Sequence, residues 1–361
     1  MRVGIVGASN CILDGNFVDL VRHTPLTTQV GNMSLGGSTT VLLPYAHLRY
    51  DLDGYDVIII DTMINEYLET RGGGYNAATG MKMLRTFVGD LHKKGKEVIF
   101  TIMPHKRSLM RDEYDFHALY SRAAKKLGCH VIDVTQAAIA AVLKGVPIDQ
   151  LWQDETHITP ALHRVVAHRV LSLLQTFQDN QAFQAGATSL EVPSGLSKLA
   201  AAAEFVPDGE PYPVMARHSS LCQPRYSQLP INTPITFYAP MGCVYGIAYN
   251  SIQFAGDVHI ESDVGAASVN LHDPDVETLT RKPGFDFRHR VIPFDQVRTP
   301  DGSALTGTVT FIPMADSPAK VAEVECLYGG PLAALPVPNT EGYFALDEEL
   351  ALITGQQRQV A

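Results

Sequence analysis

The sequence has 361 residues, more than one hydrophobic core usually serves, so two domains are expected. A composition of 45% hydrophobic and 18% charged residues is that of an ordinary globular protein and excludes wholesale disorder. The formal net charge of −10 disfavours nucleic acid or an anionic membrane surface as the main partner.

The first half of the chain alternates strand and helix patterns. Apolar, β-branched runs predict five strands, at 3–7, 27–34, 55–61, 96–104 and 129–134. Apolar residues at helical spacing predict amphipathic helices at 80–94, 112–127 and 161–177. Gly95 and Gly128 follow the first two helices and predict where they stop. Because strands that alternate with helices form a covered parallel sheet, we expect an α/β domain over residues 1–178.

The composition changes after the last of these helices. Residues 179–205 carry no sustained strand or helix pattern and predict a linker. From residue 206 onward, short β-type runs are separated by Pro and Gly, among them ITFYAP, DVHIES and GTVTFIPM. We therefore expect an all-β, sandwich-like domain over residues 206–361.

The turn VGASN, residues 6–10, directly follows the first predicted strand and has three interpretations. A dinucleotide- or phosphate-binding loop requires further glycines or a Gly-Lys-Ser/Thr motif, and neither follows here. A helix N-cap at Ser9 remains open. A nucleophilic Ser9 requires a base, a group that orients the base, and donors that stabilise an oxyanion.

Later segments contain residues of these types. In DETH, Asp154 precedes His157 by three residues, so its carboxylate can hold one imidazole nitrogen while the other faces a serine. Gly37, in NMSLGGSTT, and Asn65, after the third predicted strand, can supply N–H donors where strands end. The structural alternatives are a helix N-cap at Asp154 and a plain turn at Gly37.

In chain order, four segments resemble the motif blocks of the SGNH (GDSL-type) hydrolase superfamily: GASN (7–10), NMSLGGSTT (32–40), DVIIIDTMINE (56–66) and DETH (154–157). The resemblance covers roughly residues 1–178 and implies a flavodoxin-like, three-layer fold with a parallel five-stranded sheet. It implies that Ser9 is the nucleophile and that Asp154 and His157 complete a catalytic triad. It also implies an oxyanion hole formed by the backbone N–H groups of Ser9 and Gly37 and by the Asn65 side chain.

Three residues depart from the family pattern. Ala8 replaces the Asp of the first block, Met63 replaces the usual Gly of the third, and Glu66 stands where Asp is typical. None of these changes removes a group with an implied catalytic role. Because Met63 adds bulk beside the oxyanion site, we expect it to line the substrate pocket, together with Asn10 and Trp152. A core position is the alternative for Trp152.

The resemblance implies a serine esterase or deacylase that cleaves an O-acyl ester, and specifically an O-acetyl ester. A carbohydrate carrier is expected by analogy with SGNH enzymes that carry β-sandwich modules. Two alternatives stay open: an O-acyltransferase acting on a glycan or glycan precursor, and a catalytically silent carbohydrate-binding or scaffold protein. We expect a small-molecule or glycan ester as partner, with neither nucleic acid nor membrane, and no cofactor or metal.

The sequence also predicts a compartment. No apolar run reaches the length of a membrane span, and no signal peptide pattern precedes the first strand. The five cysteines are scattered without a CxxC pair, which favours reduced thiols over a disulfide framework or a zinc site. A cytoplasmic location is therefore expected. The sequence does not specify the oligomeric state.

Overall fold

The computed structural model describes residues 1–71, 75, 77–110, 114–179, 197–201, 213–217, 224–253, 256–263, 265–271, 273, 289–293, 306–314 and 321–331. They belong to two compact units, one containing Met1–Val192 and the other containing Pro193–Val337. Within these described ranges, no helix combines the length and the apolar character needed to cross a membrane.

The first unit is an α/β structure. Its strands are β1 (Arg2–Gly7), β2 (Gln29–Asn32), β3 (Val57–Asp61), β4 (Glu97–Ile102) and β5 (His130–Asp133). Its helices are α1 (Phe17–Arg22), α2 (Leu43–Arg49), α3 (Met63–Arg71), α4 (Ala77–Lys93), α5 (Lys106–Met110), α6 (Tyr114–Lys126), α7 (Thr135–Leu143) and α8 (Pro160–Asp179). The strands pair in parallel in the order β2-β1-β3-β4-β5. This flavodoxin-type order reverses direction at β1, and it confirms the predicted fold.

Each face of the parallel sheet has its own hydrophobic core, because successive residues of a strand point to opposite faces. Ile58 and Ile60 of β3 pack with apolar residues of α2, α3, α4 and α6, on what we call the α4 face. Val57 and Ile59 pack with apolar residues of α1, α7 and α8, on the α8 face. All four side chains are fully buried. The near-continuous apolar run in β3 reflects this burial on both sides.

The three helices predicted from apolar spacing are present as α4, α6 and α8. Gly95 and Gly128, which end the first two, have φ angles of +70° and +84°, in the left-handed region that favours glycine. After α4, the Lys96 N–H donates to the Leu91 carbonyl at 3.0 Å, which satisfies a carbonyl that the end of the helix leaves open. Both predicted stops are confirmed.

Five short helices, α1, α2, α3, α5 and α7, were not expected from the sequence. They have 5 to 9 residues, too few to show a repeating apolar stripe. One of them, α3, contains Asn65, which was expected at the end of a strand. β3 ends at Asp61, and Asn65 lies in the first turn of α3.

The second unit is rich in β-structure, as expected. Its strands are β6 (Ser197–Ala201), β7 (Val214–Ala216), β8 (Arg225–Pro230), β9 (Ile235–Asn250), β10 (Asp257–Ser262), β11 (Gly265–Asn270), β12 (His289–Pro293), β13 (Thr306–Met314) and β14 (Val321–Pro331). All pairs among these strands are antiparallel, with the main order β11-β10-β13-β9-β14-β8-β7.

One strand of this sheet lies inside the segment that was expected to be a linker. β6, with the sequence SKLAA, pairs with β14. Its sequence lacks the apolar–polar alternation that identifies a strand, so only the partner strand reveals it. The rest of the segment 179–205, apart from Asp179, lies outside the described residues.

A matched pair of leucines tests the α4 face. Leu84 in α4 is fully buried, whereas Leu143 at the end of α7 is 82% exposed. We expect Leu84→Ala to lower the free energy of unfolding by about 2–5 kcal/mol, from lost burial and the cavity left behind. Leu143→Ala should change it by less than about 0.5 kcal/mol. Urea unfolding of both variants measures the difference, and equal effects would contradict this core assignment.

Candidate active site

Ser9 lies in a tight turn at the carboxyl end of β1. Residues Ser9–Cys11 form a single 3₁₀ turn, in which the Cys11 N–H donates to the Ala8 carbonyl at 3.0 Å. Gly7 permits this turn, because a Cβ atom there would lie 2.6 Å from Cys11 Sγ. Ala8 is fully buried, which accounts for a small apolar residue at this position. The N-cap position of this turn is Ala8, so Ser9 does not cap it.

The Ser9 hydroxyl contacts His157, on the loop before α8. Ser9 Oγ lies 2.8 Å from His157 Nε2, and His157 Nδ1 lies 2.7 Å from Asp154 Oδ2. With Asp154 ionised, Nδ1–H donates to the carboxylate, which leaves Nε2 to accept the Ser9 hydroxyl proton. The structure thus brings the three residues together in the order that proton transfer from a serine requires.

The Asp154 carboxylate is held by the loop that contains it. Its Oδ1 accepts hydrogen bonds from the backbone N–H groups of Thr156 at 2.7 Å and His157 at 2.8 Å. Partial burial raises the pKa of Asp154, but the bond from the His157 ring and these backbone donors outweigh it and hold the pKa well below its usual range. The carboxylate is therefore ionised at neutral pH and keeps the imidazole in one tautomer.

Two expected pocket residues anchor this loop. Asn10 is fully buried, and its Oδ1 accepts the N–H of Ile158 at 3.3 Å. Trp152 is also buried, and its indole N–H donates to the Pro104 carbonyl at 3.1 Å. Their side chains are packed in the interior, and that they line a substrate pocket stays a prediction. Met63, for which the same prediction stands, is fully buried in the core of the α4 face.

The segment after β4 holds the other side of the same loop. The Lys106 N–H donates to the Glu155 carbonyl at 3.1 Å, and its ammonium group lies 2.6 Å from Asp149 Oδ1. His105 is buried, with its ring centroid 5.5 Å from that of Tyr67. The bond to Glu155 holds this segment against the DETH loop, and the His105 ring packs it against α3.

The two expected oxyanion donors lie on neighbouring segments. We call residues 35–40 the Gly37 loop. The Leu35 N–H donates to the Gly7 carbonyl at 2.9 Å, which ties this loop to the turn that contains Ser9. Gly37 has a φ of +79°, a conformation that favours glycine. The Asn65 amide donates one hydrogen to the Ser38 carbonyl at 3.1 Å, which places Asn65 against the loop.

Two buried carboxylates near these residues had no role assigned from the sequence. Asp61, the last residue of β3, accepts a hydrogen bond from Cys11 Sγ at 3.4 Å. Burial raises the pKa of Asp61 to about 6, although the bond from Cys11 opposes the rise. Glu66, in the first turn of α3, is also fully buried. The signal in the sequence was Asp61, which directly follows the apolar run VIII; Glu66 comes five residues later.

Asp61 makes the stability of the first unit depend on pH. Its folded pKa of about 6 exceeds its usual value of 3.8, so the unfolded chain releases the proton first as the pH rises. Deprotonation of Asp61 therefore lowers the free energy of unfolding by about 2 kcal/mol between pH 4 and pH 7. Asp61→Asn lacks this titration, so we expect its free energy of unfolding, relative to that of the wild type, to rise by about 2 kcal/mol from pH 4 to pH 7.

Urea unfolding at several pH values measures this gain, and Asp14→Asn, which changes an exposed aspartate, is the control. A difference in unfolding free energy between Asp61→Asn and the wild type that stays constant with pH would contradict the prediction.

Comparison with solved structures finds the same architecture. The chain is similar to a two-domain esterase active on acetylated mannans, at 14% identity and a TM-score of 0.59, over 92% of this chain and 91% of that one. The structure co-crystallised with mannopentaose matches at 12% identity and a TM-score of 0.57, over 92% and 90% of the two chains. An acetyl xylan esterase matches 48% of this chain and 99% of its own, at 18% identity and a TM-score of 0.42.

No family sequence profile and no curated protein sequence matches the chain. The structural likeness to the two-domain esterase extends over both units. At this low sequence identity, the likeness shows the fold alone. It agrees with the parallel order of the first sheet and with the antiparallel pairing of the second. The chain therefore has the fold of that two-domain esterase, an α/β unit with a parallel five-stranded sheet followed by a β-rich unit.

Proposed function

We propose that the protein is a serine esterase of the SGNH type that removes O-acyl groups, specifically O-acetyl groups, from a carbohydrate. The observation that carries this proposal is the continuous chain of hydrogen bonds from Ser9 through His157 to Asp154. A helix cap would not require an imidazole at the serine or a carboxylate behind that imidazole.

In the first step, His157 Nε2 accepts the proton of Ser9 as Oγ attacks the ester carbonyl carbon. The ionised Asp154 stabilises the imidazolium that forms and remains ionised itself. The tetrahedral intermediate then collapses, the bond between the carbonyl carbon and the sugar oxygen breaks, and His157 returns the proton to that oxygen. The products of this step are a free sugar hydroxyl and an acyl-Ser9 enzyme.

In the second step, a water molecule gives its proton to His157 and attacks the acyl carbon. Collapse of this second intermediate releases the acid, and the proton returns to Ser9 Oγ. In both steps the oxyanion accepts hydrogen bonds from the backbone N–H groups of Ser9 and Gly37 and from the second amide hydrogen of Asn65. Removal of one such donor typically raises the barrier by about 2.7–4 kcal/mol.

The substrate class is supported by the two-domain fold. A two-domain esterase with the same arrangement along the chain is active on acetylated mannans, and the likeness covers nearly the whole of both chains. An acetyl ester on a polysaccharide or oligosaccharide is therefore the substrate to test first. The β-rich second unit would then contact the carbohydrate, and the α/β unit would cleave the ester.

The nucleophile is tested by Ser9→Ala. We expect the rate of p-nitrophenyl acetate hydrolysis to fall by a factor on the order of 10⁴ or more. The loss of one hydrogen bond should cost only about 1 kcal/mol of stability. A fluorophosphonate should label the wild type at Ser9, as located by mass spectrometry. Ser172→Ala, an exposed serine on α8, is the matched control. Labelling elsewhere, or full activity of Ser9→Ala, would contradict the proposal.

Hydrolysis is separated from acyl transfer by supplying an acceptor. We expect acetylated manno-oligosaccharides to release acetate at a rate that an added unacetylated oligosaccharide does not increase. Mass spectrometry of the products would then show deacetylated sugar and no newly acylated acceptor. A rise in turnover with acceptor concentration, together with an acylated acceptor, would identify a transferase. An inert protein that still binds the oligosaccharide would instead indicate a catalytically silent binding protein.

A further inference from the structure

The Glu66 carboxylate lies beside the proposed oxyanion hole, yet no step of the mechanism uses it. Its Oε2 accepts hydrogen bonds from the Thr40 N–H at 2.8 Å and from the Tyr75 hydroxyl, and its Oε1 accepts the Tyr120 hydroxyl. These donors come from the Gly37 loop, the segment before α4, and α6. A fully buried carboxylate is costly to maintain unless it is hydrogen-bonded in this way.

Two successive residues of α3 hold the Gly37 loop. Asn65 donates to the Ser38 carbonyl at 3.1 Å, and Glu66 accepts from the Thr40 N–H at 2.8 Å. The loop is thus held through one carbonyl and one N–H group, both within three residues after Gly37. Any shift of Glu66 would move the loop that contains Gly37 together with the helical turn that carries Asn65.

A small cavity lies beside the Gly37 loop. Leu35, Ser38 and Thr39 line a cavity whose other walls include residues of α2 and the end of β1. A segment bordered by a cavity lacks close-packed neighbours on that side, and its position then depends more strongly on its hydrogen bonds. The two contacts from α3 supply those bonds.

The site around the carboxylate is shaped for a glutamate. A Cβ atom at Gly80 in α4 would lie 2.0 Å from Glu66 Oε1 and 2.6 Å from Thr40 Oγ1. Gly80 therefore leaves the space that the longer side chain occupies. An aspartate, shorter by one methylene group, would withdraw its oxygens from the Thr40 N–H and from the tyrosines.

We infer that Glu66 is a positioning residue: its carboxylate holds the Gly37 loop against α3, so that the Gly37 N–H and the Asn65 amide converge on one oxyanion. This inference rests on the proposed esterase function. Glu66 acts through the residues that it holds, without touching the substrate. Its removal should therefore weaken stabilisation of the transition state and leave binding of the ground-state ester nearly unchanged.

Glu66→Gln tests the inference with little change in shape. The amide keeps one acceptor oxygen and replaces the other with an NH₂ group, which cannot accept, so the side chain loses its acceptor either for Thr40 and Tyr75 or for Tyr120. We expect kcat for p-nitrophenyl acetate to fall about tenfold to hundredfold and KM to change less than about threefold. Affinity for a trifluoromethyl ketone analogue of the tetrahedral intermediate should fall in parallel. Glu69→Gln, the same change on the same helix, is the control and should leave all three unchanged.

A purely structural role would give a different result. Rates are expressed per active site, titrated with the fluorophosphonate, and each variant is compared with the wild type by circular dichroism and thermal unfolding. A Glu66→Gln enzyme with a lower melting temperature but wild-type kcat per titrated site would overturn the inference. If this variant does not fold, Tyr75→Phe, which removes one donor, and Gly80→Ala, which displaces Oε1, decide in the same assay.

Failure of the proposed function gives a separate signature. In that case the wild type itself neither hydrolyses the ester nor becomes labelled at Ser9. The positioning role of Glu66 is then also contradicted, because it rests on the esterase function. A wild type that is active and labelled, alongside Glu66→Gln, Tyr75→Phe and Gly80→Ala variants with unchanged kcat, would overturn the positioning role alone.

Discussion

The hydrogen bond between Ser9 and His157 joins residues 148 positions apart, so the fold of the first unit must bring the end of β1 and the loop before α8 together. Ser9 lies where β1 ends, and β1 is an interior strand of the parallel sheet, so its position is fixed by pairing on both sides. His157 lies on a loop whose backbone pairing is an isolated antiparallel bridge between Trp152 and Ile158. Its ring is therefore placed by side-chain contacts, chiefly the bond to Asp154 and the anchor formed by Asn10.

The two halves of the candidate site belong to different faces of the sheet. Cys11, Trp152 and Ile158, which flank Ser9 and His157, pack in the core of the α8 face. Met63, beside Asn65, packs in the core of the α4 face. The turn after β1 lies at the shared edge, where both cores end. Because the two cores and the hydrogen bonds of the Gly37 loop resist deformation together, the two halves approach each other with a fixed geometry, which is the condition for preorganised stabilisation of charge.

Much of this arrangement follows from the sequence, because strand ends in a parallel sheet meet at one edge. The order of the GASN and DETH segments was sufficient to predict that Ser9 and His157 approach one another, as they do. The part of Asn65 in the same site stays a prediction. The sequence did not show which neighbours are buried. Asn10, Met63 and Trp152 lie close to site residues along the chain, but whether such a neighbour faces solvent or core depends on the path of the turn or loop. That path is set by contacts distant in sequence.

Glu66 shows most clearly where prediction from the sequence stops. In the sequence it is a minor departure from a motif. In the structure it accepts donors from Thr40, Tyr75 and Tyr120, which no periodicity connects. Asp61, five residues earlier, is equally buried but has a weaker donor in Cys11, and burial raises its pKa to about 6. Two buried acids within one short segment oppose folding, and such local conflicts with stability are expected mainly where function requires them. A buried acid at the end of β3 and another in the first turn of α3 therefore mark this edge of the sheet independently of the serine.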